Sequence, residues 1–142
     1  MIQDNNDLSK AKSLLKGSTT CVLVKGSEVL SSTQRGIKPL LQWLDSGKDL
    51  SGFSAADKVV GKAAAFLYIL LGVDAVHACV ISEPSSALLR EHSIAVTCDE
   101  TVPAIRNRTD TGFCPMEQAT KHISEPTEAL AAVRETLKRL GS

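Results

Sequence analysis

Residues Val73–Cys98 read VDAVHACVISEPSSALLREHSIAVTC. The first part, Val73–Ile81, is rich in β-branched residues and apolar on both alternating faces, the pattern of a strand with helices above and below it. Pro84 suits the first turn of a helix, which runs through Glu91, and Ile94–Cys98 follows as another buried strand. A strand, helix and strand of this length close as a right-handed parallel crossover. The unit therefore predicts an α/β fold built on a mixed sheet between helix layers.

Upstream, Leu8–Lys16 predicts a short opening helix with Leu8, Ala11, Leu14 and Leu15 on one face and Gly17 beyond its end. Thr20–Lys25 and Glu28–Ser32 read as two strands joined by Gly26 and Ser27, a two-residue turn in which Gly supplies the positive φ of a type II′ hairpin. Gly36–Pro39 leads into a short helix carrying Leu40, Leu41, Trp43 and Leu44. The strongest helical pattern is Asp57–Leu71, where Ser54 and Asp57 stand at capping-box spacing and Val59, Val60, Ala63, Phe66, Leu67, Leu70 and Leu71 leave a narrow polar stripe. It predicts a central buried helix. Downstream, Thr101–Phe113 reads as a polar loop, Cys114–Glu117 opens a short helix, and the last helix runs from about Pro126 to Leu140.

The length of 142 residues suits one domain, 1–142, and 43% apolar content with 4% aromatics requires a core of Ala, Val, Leu and Ile. Sixteen basic residues balance sixteen acidic ones, so no long-range field draws nucleic acid or an anionic membrane, and any anion site must be local. Met1–Lys10 is polar and no apolar run approaches the length of a membrane span, so a cytoplasmic location is expected. Cys21, Cys79, Cys98 and Cys114 form no Cys-x-x-Cys pair, and most are expected to be reduced core thiols.

Four stretches carry a resemblance: Asp57-Lys58-x-x-Gly61-Lys62 with Ala63–Ala65, then Gly72-Val73, then Ile105-x-Asn107-Arg108, then Cys114-Pro115-x-Glu117. In this order they resemble the family called domain of unknown function 1893, over nearly the whole chain, and the resemblance implies a cytidine deaminase-like fold. A working deaminase of that fold needs His-x-Glu at the start of one helix and Pro-Cys-x-x-Cys at the start of the next, to hold zinc and shuttle a proton. Here Ser85 and Leu88 stand where the two cysteines would be, and no His lies in the turns after Ser54. Zinc-dependent deamination is not expected, and no metal or cofactor is assigned.

The ends of the parallel strands and the starts of the helices that follow share one sheet edge, the default place for a pocket. In the fold that the resemblance implies, the start of the long helix also comes to this edge, which gathers Asp57, Lys58, Lys62, Ser82, Glu83 and Ser85 and two helix N-termini that favour an anion such as phosphate. The plainer alternative is that Asp57 only caps a helix and both lysines are solvated. Arg106, Asn107 and Arg108 could clamp a phosphate, or could be ordinary surface residues. Cys114 stands at a helix start that could lower a thiol pKa, although a structural role is favoured there. Gly61 suggests close packing or a ligand near the backbone, and His77 reads as a core histidine. Two functions stay open: a zinc-free module binding a nucleotide or other phosphate-bearing small molecule, or an enzyme of unknown reaction using Asp57 or Cys114. A homo-oligomer is compatible with both.

Overall fold

The computed structural model describes residues 6–34, 36–105 and 115–140. Five strands, β1 (Cys21–Lys25), β2 (Glu28–Ser32), β3 (Ser54–Val60), β4 (Ala75–Ser82) and β5 (Ala95–Val102), form one sheet in the order β2-β1-β3-β4-β5. β1 is antiparallel to β2 and to β3, whereas β3, β4 and β5 run parallel, so the sheet is mixed, as expected. The hairpin turns at Gly26 with φ 61°.

One expectation is corrected. Ser54–Val60 is not the start of the central helix but the central strand of the sheet, paired on both sides. Ala55 and Ala56 are fully buried there, and small side chains suit a strand covered on two faces. The helix begins only at Lys62, after Gly61 in extended conformation, and α3 (Lys62–Leu71) ends on Gly72 with φ 83°. Gly72 adopts the left-handed geometry that glycine takes without steric cost, and its N–H closes the last turn onto Tyr68 and Ile69.

The remaining helices are α1 (Asn6–Leu14), α2 (Lys38–Asp45), α4 (Glu83–Glu91), α5 (Pro115–Thr120) and α6 (Pro126–Arg139). α1 covers one sheet face, where Ala11 packs with Val22, Val24 and Ala56. The other face carries the main core, in which α3 is joined by residues of α2, α4 and α6. Phe66, Leu67 and Tyr68 are fully buried in it. Burying side chains of this size stabilises the fold by about 1.5–3 kcal/mol each, so α3 anchors the layer. Cys98 departs from the expected core thiols and is exposed on β5. Among the described residues, no helix is long and apolar enough to cross a membrane.

Candidate functional site

At the C-terminal edge of the parallel strands, α3 and α4 begin within two residues of β3 and β4, so both N-termini come to the same edge. The two starts are finished differently. α4 has a conventional cap, because the Ser82 hydroxyl accepts the Ser85 N–H at 3.3 Å and lies 2.5 Å from the Ser85 hydroxyl. α3 has Gly61 at its cap position and no side chain of its own to accept an N–H.

Glu117 of α5 supplies that acceptor from across the edge. Both of its carboxylate oxygens lie in range of the Lys62 backbone N–H, Oε1 at 3.1 Å and Oε2 at 3.0 Å. A carboxylate here faces the positive end of the α3 dipole. Gly61 makes the room, since a Cβ at that position would come within 2.5 Å of Glu117 Oε1 and 3.2 Å of Ile105 Cγ1. Burial raises the Glu117 pKa above its usual value, against the opposing pull of the Lys62 and Ile105 backbone N–H groups and the Lys62 charge. Beside it opens a cleft of about 150 Å³, lined by Lys62, Ser82, Pro84, Pro103, Ala104, Glu117, Gln118 and Lys121.

A second carboxylate lies deeper. Asp57 pairs with Cys21 across the β1–β3 ladder, and its Oδ2 accepts the Tyr68 hydroxyl at 2.6 Å. The same hydroxyl is 3.2 Å from Cys21 Sγ, so three titratable groups form one buried chain. Desolvation raises the Asp57 pKa to about 7, although the Tyr68 hydroxyl and the Val59 and Lys58 backbone N–H groups lower it. Burial likewise pushes the Tyr68 hydroxyl and the Cys21 thiol up.

The model of the family described as domain of unknown function 1893 matches residues 9–137. The chain belongs to this family. A solved structure of a DUF1893 protein, TM1506 from Thermotoga maritima, superposes with a TM-score of 0.86 at 27% identity, covering 94% of this chain and 92% of that one. No curated protein sequence matches the chain.

In this DUF1893 chain, three of the four stretches that carry the family resemblance meet at one point. Gly61 and Lys62, Ile105, and Glu117 come from three different parts of the sequence and touch around the α3 N-terminus. Of the residues expected at the edge, Lys62 and Ser82 line the cleft, Ser85 is buried beneath Ser82, and Glu83 is exposed. Lys58 is not part of it. Successive strand residues point to opposite faces, and while Asp57 reaches Tyr68 on the α3 side, Lys58 Nζ donates to the Gly17 carbonyl beyond α1 at 2.7 Å. Asp57 is not a helix cap and does not line the cleft, being 8% exposed within β3. Arg106, Asn107, Arg108 and Cys114 lie outside the described residues. His77 is 5% exposed, with Nδ1 2.7 Å from the Thr97 hydroxyl and Nε2 3.4 Å from Asp99.

Glu117, Gln118 and Lys121 are functional candidates that the sequence reading did not select. Glu117 was visible within Cys114-Pro115-x-Glu117, at the opening of its own short helix. It caps α3 instead. Among the described residues, no group of three or more His, Cys, Asp or Glu side chains is placed to hold a metal ion.

Proposed function

We propose that this DUF1893 protein is a binding module for a nucleotide or another phosphate-bearing small molecule, held in the cleft between the α3 and α4 N-termini and α5. One observation carries this reading: Gly61–Lys62, Ile105 and Glu117, remote in sequence, converge on a helix start beside an open cleft. Lys62 brings a positive charge to it, and the α3 N-terminus favours a negative group. The cleft walls from Pro84, Pro103 and Ala104 offer apolar surface for the rest of a ligand.

The reading includes a cytidine deaminase-like ancestry of the fold without its zinc chemistry, because Ser85 and Leu88 replace the thiolates such a site requires. Binding is favoured over catalysis because Asp57, the carboxylate that a catalytic reading needs as nucleophile or base, is enclosed between the sheet and α3. Calorimetric titration of adenosine and cytidine monophosphates into the parent protein and Lys62→Ala tests it. Binding in the parent should weaken by about 1.5–3 kcal/mol when Lys62 is removed, the value of a charge-assisted contact. Absence of binding by both nucleotides, or equal affinity in the two proteins, would remove the reading.

A further inference from the structure

The α3 N-terminus is already holding an anion, and that anion belongs to the protein. Both Glu117 oxygens converge on the first N–H of the helix, in a gap that exists only because residue 61 lacks a side chain. The same carboxylate forms part of the cleft wall. A ligand phosphate approaching the Lys62 N–H would therefore meet Glu117 at contact distance, and two like charges at one site disfavour each other. We propose that Glu117 holds the place of the ligand's anionic group and must yield it, by swinging out or by losing its charge, before that group can reach the Lys62 amide. The cleft is gated from within. This inference rests on the proposed anion-binding role of the cleft and adds its regulation.

The charged groups around Glu117 fit a gate that can move. Lys62 on α3 and Lys121 just after α5 both line the cleft, so a displaced carboxylate stays among positive charges. Lys62 Nζ donates to the Lys121 carbonyl at 3.0 Å, tying α3 to the residue that follows α5. β4 and α4 contribute Ser82 and Pro84 to the cleft, while Glu83 is exposed and is not among its lining residues. The segment after β5 contributes Pro103 and Ala104, and no α6 side chain lines the cleft. Glu117 is thus the carboxylate of the cleft wall, and burial already biases it toward its neutral form. A neutral Glu117 no longer repels an incoming anion, so binding takes up a proton and tightens as pH falls.

Sulfate is a suitable probe, because its charge does not change across the range of about pH 5 to 8. Titrations would be followed by calorimetry and by the Lys62 amide resonance, in the parent and in Glu117→Gln. Both would be made in a His122→Gln background, which removes the exposed imidazole that follows α5. The gate predicts that parent affinity rises toward low pH by up to about tenfold per pH unit, the limit for uptake of one proton. Glu117→Gln should bind at least about tenfold more tightly than the parent at the upper end of the range, with little pH dependence. If Glu117→Gln does not fold, Glu117→Ala takes its place, and sulfate affinity in that variant no tighter than in the parent overturns the gate. Sulfate binding that moves the Lys62 amide but is equal or weaker in Glu117→Gln overturns the gate and leaves the anion site standing. No movement of the Lys62 amide with sulfate or adenosine monophosphate, in either protein at any pH, removes both.

Discussion

Asp57 and Glu117 carry the same functional group, and burial raises the pKa of both, yet one is enclosed by the core and the other faces an opening. Asp57 is held by a phenol and two backbone N–H groups, with a thiol across the ladder. Glu117 is held by a helix N-terminus with a lysine charge beside it. The first arrangement orders a polar chain inside the sheet and isolates it from ligands. The second keeps a carboxylate accessible and exchangeable. Similar pKa directions therefore mark a structural group in one case and a candidate functional group in the other, and access makes the difference.

The largest expected effect concerns Asp57. Its folded-state pKa of about 7 lies above the unfolded value of 3.8, so between these limits the native protein holds a proton that the unfolded chain has released. The contribution of Asp57 to stability is therefore greatest below about pH 4, falls by up to about 1.4 kcal/mol per pH unit through the window, and levels off above about pH 7, a total of roughly 4 kcal/mol. Glu117 adds a slope of the same sign. Denaturant titrations from about pH 4 to 8 should show this loss in the parent and most of it gone in Asp57→Asn. Parallel profiles in the two proteins would mean that Asp57 is ionised normally and that the contrast with Glu117 is wrong.

Tyr68→Phe comes next. It removes the 2.6 Å hydrogen bond to Asp57 and the contact with Cys21 while keeping the ring volume. The expected loss is about 1.5–3 kcal/mol, the range for a hydrogen bond to a charged group, and it should be greater at high pH, where Asp57 carries its charge. A loss independent of pH would separate Tyr68 from the ionisation of Asp57.

Gly61→Ala tests the other carboxylate. The added methyl would meet Glu117 Oε1 at 2.5 Å, and a glutamate side chain can swing aside, so the cost should be about 1–2 kcal/mol, in the lower part of the overpacking range. In a Glu117→Ala background most of that cost should vanish, the non-additivity expected of two residues in contact. Additive effects would mean that Glu117 does not occupy the gap at Gly61.

The smallest effect belongs to Lys58→Ala. The Lys58 side chain reaches the Gly17 carbonyl on the α1 side, so its loss should cost no more than about 1 kcal/mol of stability and leave nucleotide affinity unchanged. A clear loss of affinity would return Lys58 to the ligand site.

The parallel unit β4-α4-β5 was legible because its period, length and Pro84 agree with one another. β3 was not. Ser54–Val60 combines capping-box spacing with apolar residues that suit either a helix or a buried strand, and short apolar runs do not distinguish the two by period. The informative residue was Gly61, a break inside an otherwise continuous helical pattern, which marks the strand-to-helix boundary. Ser82 was readable as an edge residue because that edge follows from the crossover topology, whereas Lys62 was readable there only through the fold that the resemblance implies. Glu117 was readable as a helix-start acid, but which helix it serves depends on a contact 55 positions away in sequence. Local spacing cannot hold that information.

The central claim is that the cleft beside Lys62 and Glu117 is where this protein meets its ligand. Backbone amide mapping of the full chain during titration with adenosine monophosphate tests it most directly. Shifts concentrated at Lys62, Ser82, Ala104, Glu117, Gln118 and Lys121, with Asp57 and Lys58 little changed, are the predicted result. Shifts centred on the opposite sheet face around Lys58, His77 and Thr97, or no shifts at saturating nucleotide, would contradict it.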